Sequence, residues 1–213
     1  MATRTTNKNP MAAGTRSGRA EGSQGSDGAN EAQPVLKVSL REIQRFGTVV
    51  DLPIALDEQV RLQSCEALNK ILSDSMVLFN LYKKYHWLVA GHTFYQLHLL
   101  FDKHAEEQLE LIDGIAERVQ ILGGIAVGDP RHAAELTTIE RPPDGREEVP
   151  TMITRLVQAH ETVIRGVREA INLTNQNGDA GSNDLLMGDV LPTNELQVWF
   201  VAEHLVGVPL VNE

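Results

Sequence analysis

Residues 86–124 have the sequence HWLVAGHTFYQLHLLFDKHAEEQLELIDGIAERVQILGG, and this segment decides the fold of the chain. From Thr93 to Leu122 the apolar residues recur at helical spacing, which predicts one long amphipathic helix. Gly123 and Gly124 follow and end it. The predicted core side of this helix consists of Phe94, Leu97, Phe101, Ala105, Ile112, Ile115, Val119 and Leu122.

A second stripe of side chains lies beside the core side of the same helix. It consists of His98, Asp102, Asp113 and Glu117. At 100° per residue these four fall within a sector of about 100°. Leu109 and Ala116 share the sector, and a solvated face rarely carries apolar residues between its charges. We therefore expect this face to be buried against another element.

The spacing within the stripe predicts two half-sites for a metal ion. His98 and Asp102 are one turn apart, and so are Asp113 and Glu117. The pairs are separated by 113 − 98 = 15 positions, about 22 Å along a helix, so one ion cannot contact both. An antiparallel two-fold copy of the helix would bring the two pairs together and create two identical sites. His86 on the preceding helix adds a second imidazole, and two histidines with a carboxylate suit ferrous iron.

One alternative is that these residues have no joint role, and another, a di-iron site within one chain, fails on the sequence. A single histidine on a helix is more often a core or surface residue than a ligand, so the prediction rests on the whole constellation. A di-iron site within one chain needs Glu-x-x-His motifs on two helices. None of the seven histidines has a glutamate three residues before it. Those positions are Lys83, Val89, Tyr95, Phe101, Asp129, Val157 and Val201.

The segment resembles the Dps family of mini-ferritins. It carries that family's hallmark residues at the family's spacing, over a resemblance that covers about residues 56–205. These residues are His86, Trp87, Gly91, Phe94, Leu97, His98, Asp102, Asp113, Ala116, Glu117, Arg118, Gly123 and Gly124. The resemblance implies an all-α, ferritin-like four-helix bundle in a hollow homododecamer. It also implies ferroxidase sites shared across dimer interfaces.

Several functional expectations follow from this resemblance. Fe²⁺ is expected to bind at His86, His98, Asp102, Asp113 and Glu117 and to be oxidised by hydrogen peroxide or oxygen, with zinc as a competitor. Ferric mineral is expected to collect in the cage. An aromatic residue beside the site, here Trp87, intercepts oxidising equivalents in this family. Acids near the start of helix four line pores for iron entry, which makes Asp179 and Asp184 the candidate pore residues.

The rest of the bundle follows from the apolar pattern. The first helix is predicted from Asp57 to about Ala90 and the third from Pro150 to Asn175. Between helices two and three, residues 125–146 form a long crossover with a short helix at residues 131–136. Helix four is expected to begin at Ser182 or Asn183 and to kink at Pro192. His104 and His160 lie near the core side of their helices, as hydrogen-bonded core imidazoles or as extra histidines near the metal site.

The ends of the chain differ from its middle. Residues 1–35 are rich in Gly, Ser, Thr and Asn, which predicts a disordered tail whose first 20 residues carry a charge of +4. Residues 36–56 are predicted as an extended lead-in, residues 57–207 as the bundle and residues 208–213 as a short C-terminal tail. A basic arm is a candidate DNA tether, so a DNA-compacting protein is the alternative function. The net charge of −10 makes such binding weak.

Composition limits the cellular setting. The chain has 42% hydrophobic residues, one cysteine and no apolar run of transmembrane length. The lone Cys65 excludes a disulfide within the chain and is typical of a reducing compartment. With no apolar leader at the N-terminus, we expect a cytoplasmic protein, associated with the nucleoid if it binds DNA.

Overall fold

The computed structural model describes residues 41–207 of the chain. From Glu42 onward these form one compact unit. The described residues are helical or irregular and contain no β-strand. The helices are α1 (Glu58–Leu88), α2 (Phe94–Ile121), α3 (Pro130–Leu136), α4 (Val149–Asn177), α5 (Ala180–Leu185) and α6 (Leu191–Ala202). A π-helical turn, Leu186–Val190, joins α5 to α6, and a 3₁₀ turn, Glu203–Leu205, ends the last helix.

Four helices form the bundle: α1, α2, α4 and the composite helix made by α5, the π-helical turn and α6. This confirms the prediction of an all-α, ferritin-like bundle. Its core consists of the apolar faces of these helices, with buried side chains that include Leu68, Leu72, Leu78, Tyr82, Leu97, Phe101, Ile115, Leu156, Val163 and Val201. Burying these faces is what stabilises the helices, since isolated helices are marginal in water. No helix in the described residues is long and apolar enough to span a membrane.

The helix α2 ends where the glycine pair predicted it to end. Gly123 has a φ of +83°, a conformation that disfavours any side chain, and its N–H donates to the Gln120 carbonyl at 2.9 Å. A Cβ on Gly124 would lie 2.6 Å from Sγ of Cys65, so only glycine lets α2 finish this close to α1. The predicted core side is buried except at two residues. Ile112 is half-buried, and Phe94, the first residue of the helix, is exposed in the single chain.

The crossover between α2 and α4 is long and carries the short helix α3, as predicted. It is attached to α1 through two buried polar side chains. The Asn69 amide donates to the Ile125 carbonyl at 3.0 Å and accepts from the N–H of Val127 at 2.9 Å. The Asp74 carboxylate accepts from the hydroxyl of Thr137 and the N–H of Thr138. These contacts satisfy backbone groups that a buried connector would otherwise leave unpaired.

The last bundle helix differs from the prediction at its start. The cap is Asp179, whose carboxylate accepts from the N–H of Ser182 at 3.1 Å, and the helix begins at Ala180. The predicted caps Ser182 and Asn183 therefore lie inside the first turn. A helix break near Pro192 is present as the π-helical turn that precedes it, where the N–H of Leu191 bonds to the carbonyl of Leu186.

Residues 41–56 contain no helix or strand. The Val50 N–H donates to the Gly123 carbonyl at 2.9 Å, and Arg61 on α1 donates to the Leu56 carbonyl at 3.1 Å. The described part of the predicted lead-in thus packs against its own bundle. The predicted tails at residues 1–35 and 208–213 lie outside the described residues.

Candidate metal centre

Two histidines face each other where α1 ends and α2 begins. Nδ1 of His86 lies 2.8 Å from the backbone carbonyl of His98, and Nδ1 of His98 lies 2.9 Å from the carbonyl of His86. Their rings stack with centroids 3.7 Å apart. Gly91, with a φ of +96°, makes the tight connection that brings the two helices into this contact.

The reciprocal hydrogen bonds decide which nitrogen of each ring is free. A carbonyl oxygen only accepts, so Nδ1 of His86 and of His98 must carry the proton. Nε2 is then the nitrogen of each ring that can offer a lone pair to a metal ion. Metal-binding histidines generally donate their second N–H to a carbonyl or carboxylate, which fixes the tautomer and raises the basicity of the ligating nitrogen. The pair therefore presents two oriented imidazole ligands.

Asp102 lies one turn beyond His98 and joins this group. One of its carboxylate oxygens is 3.8 Å from Nδ1 of His86, and the same oxygen accepts a short hydrogen bond from Nζ of Lys83. That hydrogen bond, with the lysine charge, lowers the pKa of the Asp102 carboxyl below its usual value. The carboxylate is thus ionised and ready to bind a cation, with a lysine as its present partner.

Sequence reasoning did not assign Lys83 to the site. The signal was present, since Lys83 is three residues before His86 and positions i and i+3 share a helix face. What the sequence does not show is that the lysine reaches across to α2.

The other half of the predicted stripe lies apart from this group. Asp113 and Glu117 are exposed on the C-terminal half of α2. The exposed Leu109 lies between the two pairs, and the half-buried Ala116 lies between Asp113 and Glu117. Within the part of one chain that the structure describes, no group of three or more His, Cys, Asp or Glu side chains is arranged to hold a metal ion. In one chain His86, His98 and Asp102 lie near one another without forming a complete site, and Asp113 and Glu117 do not reach them.

The remaining predicted site residues occupy three other places. Trp87 lies beside the histidine pair with 69% of its surface exposed. His104 and His160 are buried in the bundle core, where both contact the hydroxyl of Tyr82. Asp184 is exposed and lines an open cavity of about 470 Å³ with Asn175 and Ala180.

Asp179 differs from what a pore residue requires. Only 1% of its surface is exposed, and its carboxylate accepts from Arg118 at 2.6 Å while it caps α5. Its carboxylate forms these contacts within the subunit, which leaves Asp184 as the candidate pore residue. The sequence placed the two acids together because they are close in the chain, although one points inward.

Comparisons with known proteins agree with this geometry. The family model described as a ferritin-like domain matches residues 65–211. The structure of DpsC from Streptomyces coelicolor has 63% sequence identity and a TM-score of 0.80, covering 81% of this chain and all of that one. An archaeal Dps homologue from Halobacterium salinarum has 26% identity and a TM-score of 0.77, over 81% of this chain and 96% of that one.

A relative from Nostoc sp., named nutrient stress-induced DNA-binding protein, is 32% identical over 72% of this chain and 83% of its own length. These matches cover most of the chain and most of each relative, and they include the helices that carry the histidine pair and the acidic stripe. The chain therefore belongs to the ferritin-like family and, within it, to the Dps proteins.

Proposed function

We propose that this protein oxidises ferrous iron at sites built from two chains and stores the ferric product inside a cage. The observation that carries the proposal is the histidine pair, whose Nδ1 hydrogen bonds leave two Nε2 lone pairs beside an ionised carboxylate. Two imidazoles and one carboxylate, with further positions open, form a ligand set suited to Fe²⁺ and its oxidation.

The second half of each site comes from a partner chain. Asp113 and Glu117 are too far along α2 to reach the histidines of their own chain, because 15 residues span about 22 Å. An antiparallel α2 from a second copy would place its Asp113 and Glu117 beside His98 and Asp102. The exposed apolar residues on and next to the stripe, Leu109 and Phe94, favour such a contact.

Each residue has a distinct role in this proposal. His86, His98 and Asp102 hold the tighter iron, and the partner's Asp113 and Glu117 bridge it to a second, weaker one. Two irons side by side deliver two electrons to hydrogen peroxide together, so that no hydroxyl radical is released. Trp87, exposed beside the site, intercepts stray oxidising equivalents. Zinc, which accepts the same ligands, is a competitor.

A subunit-mixing experiment tests the shared site. Asp102→Ala and Asp113→Ala each break every site of a homo-oligomer, so each variant should lose most rapid ferroxidation. When the two are unfolded and reassembled together, a mixed dimer has one site with both lesions and one with none. Random pairing makes half of the dimers mixed, so about a quarter of all sites should recover.

The matched control mixes Asp102→Ala with His98→Ala. Both lesions lie in the same half of the site, so each site of a mixed dimer still carries one lesion and no activity should return. Recovery in the first mixture alone supports two-chain sites. An absence of recovery there, despite subunit exchange shown by mass spectrometry, would contradict them.

The assembly completes the proposal. A hollow homododecamer built from such dimers would store mineral within a negative interior, which attracts ferrous ions. Asp184 lines the entry pore in this arrangement, because it is exposed in an open cavity near the start of the last helix. The net charge of −10 supports this cation-attracting role.

DNA binding is the second candidate, favoured by the name of the Nostoc relative. The charge of this chain opposes it, because only the first 20 residues are basic and phosphate binding needs several simultaneous cations. We therefore expect weak DNA binding. Retention of DNA by the full-length protein at physiological salt would make DNA binding the first candidate function. The proposed location is the cytoplasm, or the nucleoid if DNA is retained.

A further inference from the structure

A group of polar side chains fills the middle of the bundle core, away from the histidine pair. We call Tyr82, His104, His160 and Asn194 the Tyr82 network. The Tyr82 hydroxyl lies 2.6 Å from Nε2 of His160 and 3.1 Å from Nδ1 of His104, and Nδ1 of His160 lies 2.9 Å from Oδ1 of Asn194. All four residues have at most 1% of their surface exposed. A buried polar network this deep is costly to maintain, so it calls for an explanation.

The direction of every proton in the Tyr82 network follows from Asn194. Its amide nitrogen donates to the backbone carbonyl of Val190 at 2.7 Å, and a carbonyl only accepts, so the amide orientation is fixed. Oδ1 of Asn194 is then the acceptor, and Nδ1 of His160 carries the proton. Nε2 of His160 is therefore bare, and Tyr82 donates its phenolic proton to it. The Tyr82 oxygen in turn accepts from Nδ1–H of His104.

Asn194 lies in the last helix, just after an irregular stretch. The π-helical turn Leu186–Val190 precedes α6, which has Pro192 in its first turn. Such turns are frequent at functional sites. Asn194 donates to Val190, the last residue of the turn, and accepts from His160. These two bonds fix the tautomer of the histidine that receives the tyrosine proton.

The Tyr82 network is also close to the metal centre. Tyr82 precedes His86 by one turn of α1, about 6 Å along the helix axis. Its ring centroid is 6.0 Å from that of Phe101, the residue directly before Asp102. Electrons cross such distances through packed protein readily, whereas the buried position excludes solvent and peroxide from the ring.

We propose that Tyr82 is a redox-active residue that gives one electron to the metal centre while its phenolic proton moves to Nε2 of His160. This inference rests on the proposed ferroxidase function and extends it to sites holding a single iron. A phenol is far easier to oxidise when its proton leaves at the same time, and the network supplies an acceptor at 2.6 Å. The remaining His104 hydrogen bond stabilises the oxygen of the neutral radical.

The electrons and protons balance for hydrogen peroxide as oxidant. One Fe²⁺ gives one electron, Tyr82 gives the second, and two protons from solvent complete the reduction of peroxide to two waters. The products are Fe³⁺, a neutral Tyr82 radical and protonated His160. A later Fe²⁺ gives one electron to the radical, His160 returns the proton, and the resting state is restored. A site that has bound only one iron can thus reduce peroxide without releasing a hydroxyl radical.

The same helix provides a natural control. Tyr85 is also buried, with 1% of its surface exposed, but its hydroxyl has no hydrogen-bond partner. Burial raises the pKa of Tyr85 to about 12, and no base is placed to take its proton on oxidation. The only other tyrosine, Tyr95, is exposed on α2. Two buried tyrosines one turn apart therefore differ chiefly in their proton acceptor.

The test is rapid-freeze electron paramagnetic resonance on the full-length assembled protein. One Fe²⁺ per site is added anaerobically and hydrogen peroxide follows. The wild type should give a tyrosyl signal that narrows when the protein is grown with ring-deuterated tyrosine, which distinguishes it from an indole radical at Trp87. Tyr82→Phe should lose this signal, and Tyr85→Phe should keep it. His160→Gln keeps a donor and an acceptor but has no base, so it should lose most of the signal.

The outcomes separate this inference from the proposed function. Iron oxidation by peroxide is followed in the same samples at two Fe²⁺ per site. A wild type that does not oxidise iron would overturn the proposed function. A wild type that oxidises iron but shows no tyrosyl signal would overturn only the role of Tyr82. A signal that survives in Tyr82→Phe would overturn it equally, as would its survival at full strength in His160→Gln or its loss in Tyr85→Phe.

Discussion

The metal half-site and the Tyr82 network both contain histidines, but these histidines have different hydrogen-bond partners and different proposed roles. Each contains two histidines, and each includes side chains from α1 and α2. In the half-site the Nδ1 protons go to backbone carbonyls, and both Nε2 atoms are left free near the surface. In the Tyr82 network the Nδ1 proton of His160 goes to an amide, and its Nε2 is already occupied by a phenol. The partner of each ring nitrogen, rather than the presence of a histidine, separates a metal ligand from a proton acceptor.

Burial reinforces this difference. Desolvation lowers the pKa of His104 to about 4 and that of His160 to about 3, so both stay neutral at neutral pH. At neutral pH the buried imidazoles therefore keep their hydrogen bonds inside the core. The half-site histidines, which bond only through Nδ1, leave Nε2 near the surface, where the proposed metal ion would bind. Three predictions test this contrast.

At neutral pH, the largest effect is expected when the Tyr82 network loses its anchor. Asn194→Leu should lower the free energy of unfolding by about 2–3 kcal/mol, because buried donors on His160 and Gln108 lose their acceptor. Asn80→Leu is the matched control, since Asn80 also donates to the carbonyl four residues before it but is exposed. Chemical denaturation of both variants measures the difference. Equal losses would show that the network is not a special source of stability.

Below pH 6.5, a further loss of stability is expected from acid. The folded pKa of His160 and His104 lies below the usual 6.5, so the unfolded chain binds more protons between these values. Stability should therefore be full above about pH 6.5 and fall as pH drops, by about 1.4 kcal/mol per pH unit for each histidine. The loss should continue to about pH 4 for His104 and about pH 3 for His160.

His160→Gln is the variant that measures this acid effect. Between pH 6.5 and 5 its stability should fall with about half the slope of the wild type, because one of the two buried imidazoles is gone. Denaturation midpoints measured across that range give both slopes. Parallel curves would mean that His160 is not held neutral by its surroundings.

The smallest effect concerns the half-site itself. Lys83→Met should tighten Fe²⁺ binding about fivefold, since the metal no longer displaces an exposed ion pair worth about 1 kcal/mol. Lys84→Met serves as the control, because the next lysine bonds to the Pro143 carbonyl instead of to Asp102. Anaerobic titration of the two variants beside the wild type compares the affinities. If both variants bind Fe²⁺ more tightly to the same extent, the cause is the loss of a positive charge and not the loss of the Lys83–Asp102 ion pair.

The same comparison shows which features of the structure could be predicted from the sequence. The helices, the glycine stop and the wide spacing of the two ligand pairs follow from periodicity, since 1.5 Å per residue is a property of any α-helix. The role of Lys83 and the inward turn of Asp179 depend on contacts between helices that the pattern does not encode. The Tyr82 network was the hardest feature to predict, because its four side chains come from four different helices. His104 and His160 stood out in the pattern, but their common partner did not.

The continuity of α2 has a consequence for how this chain can vary in length. Both halves of the proposed site lie on one uninterrupted helix of 28 residues, with no loop between them to absorb a change. One residue gained or lost between Asp102 and Asp113 would rotate one half against the other by about 100° and break both sites of a dimer at once. If two chains share the site as proposed, the number of residues between Asp102 and Asp113 cannot change without loss of the site.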